Sequence, residues 1–121
     1  MAPTQNHGPT TMTLEQDLQG SVLILRPVGR LDSSSAPELE RVVVEHLGQG
    51  TRQLMFDLSD MDYVSSAGLR VILLAGKKLR TAQGKLVLVG LREMVREVFE
   101  MSGFMSLFPV EETVAEGLAR F

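Results

Sequence analysis

From residue 52 onward the chain alternates short, wholly apolar runs with longer segments whose apolar residues recur at helical spacing, and this alternation restricts the fold more than any single motif. Leu54-Met55-Phe56 and Leu86-Val87-Leu88-Val89 have no polar partner at every second position, the mark of strands covered on both faces. Between them Leu69, Ile72, Leu73, Gly76 and Leu79 fall at i, i+3, i+4, i+7 and i+10, the spacing of a core-facing helix. The pattern predicts strands over 52–58 and 85–89, helices over 67–82 and 92–102, a short strand near 106–110 and a last helix over 111–120. Strands separated by helices are joined by crossovers and therefore lie parallel. The expected fold class is α/β, with a mixed, mostly parallel sheet of four to five strands packed with about four helices.

The first half of the chain adds an antiparallel pair. Met12, Leu14, Gln16 and Leu18 alternate with Thr13, Glu15 and Asp17 as in an edge strand, and Gln19-Gly20 turns the chain into the apolar Val22-Leu23-Ile24-Leu25. Ser35-Ala36-Pro37-Glu38 has the form of a capping box, with Leu39, Val42, Val43 and Leu47 forming one face of the helix behind it. Lys77, Lys78 and Arg80 complement the dipole at the end of the 67–82 helix, and Gly84 is expected to stop it. Gly103 ends the next helix after Leu91, Val95, Val98 and Phe99, while Val114, Leu118 and Phe121 give the last one its apolar face. Residues 1–11 (MAPTQNHGPTT) are short and polar, with two prolines and a glycine, and are read as a flexible leader before a single domain over 12–121.

Composition excludes several classes of function. A chain of 121 residues without cysteine has neither a disulfide framework nor thiolate chemistry. A net charge of −3 with no basic block argues against direct nucleic-acid binding. No run approaches the ~18 apolar residues of a membrane span, and residues 1–11 lack the pattern of a signal peptide, so the expected location is cytoplasmic, with no membrane insertion. Ser-His-Asp sets, phosphate-cradling glycine loops and zinc spacings are all missing from the sequence. His46 falls near a helix end and His7 in the leader, so the two make no pair. Asp57, Asp60 and Asp62 gather in one stretch, but they lack the further acidic pair and late lysine of a phosphoacceptor aspartate site, and aspartates in loops are commonly turn-formers.

The candidate site is Tyr63-Val64-Ser65-Ser66-Ala67-Gly68-Leu69-Arg70, which carries two hydroxyls from the end of a strand into the first turn of a helix. Serine at such a corner is an ordinary helix cap, worth about 1 kcal/mol, and Ser66 is expected to contribute a hydroxyl of this kind. The same corner, with free N–H groups and the positive end of the helix dipole, also favours an anionic group such as a phosphate. Arg70, Val71, Leu74 and Lys78 fall near the azimuth of Ser66 and Ala67, and partial exposure of Val71 and Leu74 would make a mixed apolar and basic strip beside the serines.

The run Phe56-Asp57-Leu58-Ser59-Asp60-Met61-Asp62-Tyr63-Val64-Ser65-Ser66-Ala67-Gly68-Leu69-Arg70-Val71-Ile72-Leu73-Leu74 resembles the signature of STAS domains, specifically of the bacterial anti-sigma factor antagonists. Gly29-Arg30-Leu31-Asp32 with Ala36-Pro37-Glu38-Leu39, and Gly84-Lys85-Leu86-Val87-Leu88-Val89-Gly90, extend the likeness over residues 12–121. The resemblance implies phosphorylation at Ser66, two residues before the glycine of the helix start, with Ser65 as the alternative. Many members carry an aspartate where this chain has Ser65 and a second hydroxyl where it has Ala67. It further implies a partner-binding surface formed by Asp32, Asp57, Ser65, Ala67, Gly68, Arg70, Val71 and Leu74, with no cofactor, no metal and no catalysis of its own.

The partners so implied are a serine-kinase anti-sigma factor, ATP-binding and of histidine-kinase-like fold, and a PP2C-type serine phosphatase. The unphosphorylated form would bind the kinase and release its target, and phosphorylation would end that binding. Other roles open to the same domain are a non-phosphorylated accessory subunit of an ABC-type lipid transporter and a module that senses a small molecule.

Overall fold

The computed structural model describes residues 12–121; the leader read over residues 1–11 lies outside the described residues. The elements run β1 (Met12–Gln19), β2 (Val22–Leu31), α1 (Ala36–Gly48), β3 (Gln53–Asp57), β4 (Met61–Val64), α2 (Ser66–Thr81), β5 (Lys85–Val89), α3 (Glu93–Met101), a 3-10 turn at Phe104–Ser106, β6 (Val110–Glu111) and α4 (Val114–Leu118). The strands form one sheet in the order β1-β2-β3-β5-β6, antiparallel between β1 and β2 and parallel elsewhere.

Of the six strands, β4 is the one that the hydrophobic pattern did not foretell. After β3 pairs with the first half of β2, the chain turns and returns to the same strand, so that β4 pairs with Gly29, Arg30 and Leu31. Only four residues long and preceded by two aspartates, β4 shows no clear alternation, although Met61 and Val64 are buried.

Alternation along the central strands sorts the core into two layers. Leu23 and Leu25, Leu54 and Phe56, and Leu86 and Leu88 face α1, α2 and α3, where they meet Leu39, Val43, Ile72, Leu79, Val95 and Phe99. Val22, Ile24, Met55, Val87 and Val89 face the other way, against Val114, Leu118 and Phe121. The small second layer fits the shortness of α4, whose start is fixed by a capping box between Thr113 and Glu116. The expected helix over 111–120 is trimmed because Glu111 is taken up in β6.

Two local expectations are corrected. Ser35 does not form a capping box with Glu38; its hydroxyl donates to the Arg30 carbonyl (2.8 Å) and accepts from the Asp32 amide (2.9 Å), locking the β2–α1 turn instead. Nor is Gly84 the left-handed residue after α2. That conformation falls on Gln83 (φ 64°), and Gly84 is needed because a side chain there would strike the Arg52 carbonyl of the neighbouring loop. No helix among the described residues is long and apolar enough to cross a membrane.

Candidate functional site at the start of the second helix

The end of β2 positions the serine corner. The Ser65 amide donates to the Leu31 carbonyl (2.9 Å), continuing the β2–β4 ladder by one bond before the chain turns into α2. Ser65 keeps extended backbone angles (φ −94°, ψ 174°), and its carbonyl accepts the first helical bond, from Leu69 (2.9 Å). Its hydroxyl accepts from the Gly68 amide (3.3 Å), which makes Ser65 the helix cap. The expectation that Ser66 supplies a cap hydroxyl is therefore corrected: Ser66 is the first helical residue, exposed, and its hydroxyl makes no hydrogen bond among the described residues.

Gly68 explains how closely this turn sits on the sheet. A Cβ there would lie 2.7 Å from Leu31 Cγ and 3.0 Å from the Leu31 carbonyl oxygen, so only glycine lets the first turn rest on the end of β2. The corner is thus held from below by β2 and from one side by its own cap, while the Ser66 hydroxyl is left free on the outer side.

Ser66, Ala67 and Arg70 line a shallow depression on that outer surface. Arg70 is exposed and has no ion pair among the described residues. Along the rest of α2, Lys77, Lys78 and Arg80 are exposed, Leu73 and Leu74 are half-buried, and no acidic residue occurs in the helix. Val71 departs from expectation: at 5% exposure it belongs to the core, so it supports the surface from beneath. Leu73 takes its place on the outside. The spacing Ser66, Arg70, Leu73, Lys77 (i, i+4, i+7, i+11) is a helical row that was readable in the sequence but hidden by assigning Leu73 to the core.

Asp32 begins the loop just after Leu31, the residue on which the corner rests. Its carboxylate accepts from the Ser34 hydroxyl (2.7 Å), the Ser34 amide (3.0 Å) and the Ser35 amide (3.2 Å). The Ser34 hydroxyl is the chief reason that the Asp32 carboxyl titrates below its usual range. Arg30, the cation closest in sequence to this loop, lies over the Tyr63 ring (4.2 Å to the centroid) and 3.8 Å from Asp32.

Asp57 is not brought to the corner. It shares strand parity with Met55 rather than Phe56, so its carboxylate leaves the opposite face of the sheet, where it is buried (4% exposed) and meets Arg26 Nε (2.9 Å) and the Ser59 hydroxyl (2.7 Å). Asp60 and Asp62 also serve structure: both face Arg92 at the start of α3, whose Nε donates to the Ser59 carbonyl (2.7 Å). His46 meets Gln16 (2.9 Å), and His7 lies outside the described residues. Among the described residues no three His, Cys, Asp or Glu side chains are grouped to hold a metal ion.

Comparison with known proteins places this geometry in a family. The model of the STAS domain matches residues 13–117. The chain is 44% identical over 110 residues to BtrV of Bordetella bronchiseptica, named as an anti-sigma factor antagonist, a match covering 91% of this chain and 95% of that protein. It is 28% identical over 101 residues to the anti-sigma-B factor antagonist of Staphylococcus aureus, covering 84% and 94% respectively. Among solved structures, one described as an anti-sigma factor antagonist from Thermotoga maritima superposes with a TM-score of 0.85 at 23% identity, covering 88% of this chain and 92% of that one.

Proposed function

The chain belongs to the STAS domain family, and from that premise we propose that it is an anti-sigma factor antagonist of a partner-switching module, controlled by phosphorylation of Ser66. Its unphosphorylated form binds an anti-sigma factor that is also a serine kinase, and so frees that kinase's target. The kinase then transfers the γ-phosphoryl group of ATP to Ser66 Oγ, the hydroxyl proton is lost and ADP leaves. A PP2C-type phosphatase hydrolyses the ester and restores the binding form. The chain is ligand and substrate in this cycle and supplies no catalysis.

The observation that carries the assignment is the division between the two serines. Ser65 Oγ is committed to the Gly68 amide and half-buried, whereas Ser66 Oγ is exposed and uncommitted. A phosphoryl group added to Ser66 leaves the cap in place, adds about 1.5 to 2 negative charges and falls at the positive end of a 16-residue helix. Ala67, Arg70, Leu73 and Leu74 form the adjoining docking surface, with Asp32 at its edge. Val71 and Gly68 shape it from beneath, and Asp57 lies on the far face of the sheet.

Intact-protein mass analysis after incubation with the cognate kinase and ATP tests this reading. The wild type and Ser65→Ala gain one phosphate and Ser66→Ala gains none. Phosphate incorporation by Ser66→Ala, with none by Ser65→Ala, would move the site to Ser65, and an unmodified wild type would remove the switch altogether.

A further inference from the structure

Resting on the reading of Ser66 as the phosphorylated residue, we propose that Arg70 is the phosphate's own receptor on this chain, so that phosphorylation both adds charge and withdraws the first cation of the docking surface. Two observations converge on this residue. Ser66 and Arg70 line the same depression, and they stand at i and i+4 on α2. Helical side chains lean toward the N-terminus, so the Arg70 side chain covers the turn that carries Ser66. An anion N-terminal to a cation at this spacing is the favourable order.

Arg70 is also the cation that is free to respond. It has no carboxylate partner among the described residues, while Arg30, on the other side of the corner, is engaged by the Tyr63 ring and Asp32. Lys77, next in the same row, stands eleven residues from Ser66, which at about 1.5 Å per residue is ~16 Å along the helix and out of reach. The planar guanidinium presents paired N–H donors that match phosphate oxygens two at a time. In the unmodified protein the same group is available to an acidic group of the partner. Once Ser66 carries a phosphate, that group meets a neutralised arginine and a phosphate in place of a free cation.

The test uses the full chain with phosphoserine installed at position 66 during synthesis, so that no kinase is needed. Phosphorus NMR follows the second ionisation of the phosphate at low ionic strength in the wild type, Arg70→Gln, Arg70→Lys and Lys77→Gln. A charge-assisted pair with Arg70 holds the doubly charged form, so the wild-type midpoint should lie about half a pH unit below that of Arg70→Gln. Arg70→Lys should fall between them, and Lys77→Gln should match the wild type. Equal midpoints in the wild type and Arg70→Gln would overturn the proposal, as would loss of the folded amide spectrum on phosphorylation. Because the phosphate is placed by synthesis, a kinase that fails to modify Ser66 would overturn the reading of the site without touching the Arg70 result, and the reverse also holds.

Discussion

Replacing each serine of the corner by alanine in turn should lower thermal stability at Ser65 and leave it unchanged or slightly raised at Ser66. Ser65→Ala removes the acceptor of the Gly68 amide, and Gly68 is buried against Leu31, so water does not readily replace the lost hydroxyl. Loss of a serine cap costs about 1 kcal/mol. Unfolding entropy of roughly 2.1 cal/mol/K per residue gives about 0.23 kcal/mol/K for a domain of this size, so the melting temperature should fall by ~4 °C. Ser66→Ala removes a hydroxyl with no partner and puts the best helix former at the first helical position. Alanine exceeds serine by up to about 0.5 kcal/mol in a helix interior, so this variant should melt at the wild-type temperature or ~1–2 °C above it. Differential scanning calorimetry of the three proteins reads both shifts. Equal destabilisation by the two substitutions would refute this division of roles, and a larger fall for Ser66→Ala would mean that the cap and the free hydroxyl have been exchanged.

Ser66→Asp and Ser66→Glu should weaken binding to the proposed kinase partner at least tenfold, about 1.4 kcal/mol, without a comparable fall in melting temperature, and Leu74→Ala should weaken the same complex with the melting temperature nearly unchanged; calorimetric titration beside thermal unfolding would show it, and unchanged affinity would refute it. Asp57→Asn should destabilise by about 1–3 kcal/mol at neutral pH, because Arg26 and Ser59 lose a carboxylate partner. Burial pushes the Asp57 carboxyl up, but the Ser59 hydroxyl and amide and the Arg26 guanidinium together hold it below the usual aspartate range. Its contribution is therefore complete above the unfolded value of about 3.9 and is lost as pH falls through the lower folded value, so the gap between wild type and Asp57→Asn should close in acid; urea titrations across pH test the sign. Gly84→Ala should cost about 1–3 kcal/mol in the same titrations, since the obstructing atom is the Arg52 carbonyl of the backbone, and a neutral result would contradict the close approach.

The sequence displayed the crossover architecture and the serine corner because both rest on local patterns: continuous apolar strands, a helical stripe and hydroxyls between them. It displayed less well what depends on a neighbour. Val71 reads as a flank residue on a helical wheel, yet α2 packs against α1 as well as the sheet, which widens its buried stripe. β4 exists because the second half of β2 has a free edge to offer, not because Met61-Asp62-Tyr63-Val64 looks like a strand. Ser35 had a capping-box spacing, but Asp32 and the Arg30 carbonyl compete for its hydroxyl, and they win. The position of Asp57, by contrast, was open to reading: two-residue alternation from Phe56, the most apolar member of β3, already sends its neighbour to the other face.

That Ser66 lies inside the helix, one residue past the cap, bears on how any modifying enzyme can recognise it. Ser66 is presented with helical backbone, and its flanking residues Ala67 and Arg70 keep their places only while α2 rests on Leu31 and the sheet beneath. A synthetic peptide covering residues 60–72 would contain every side chain of the corner, but a segment that short has little helix in water. An enzyme fitted to Ser66 as it stands here therefore reads a folded surface instead of a linear motif, and unfolding the domain would hide the serine from it more effectively than mutating the residues on either side.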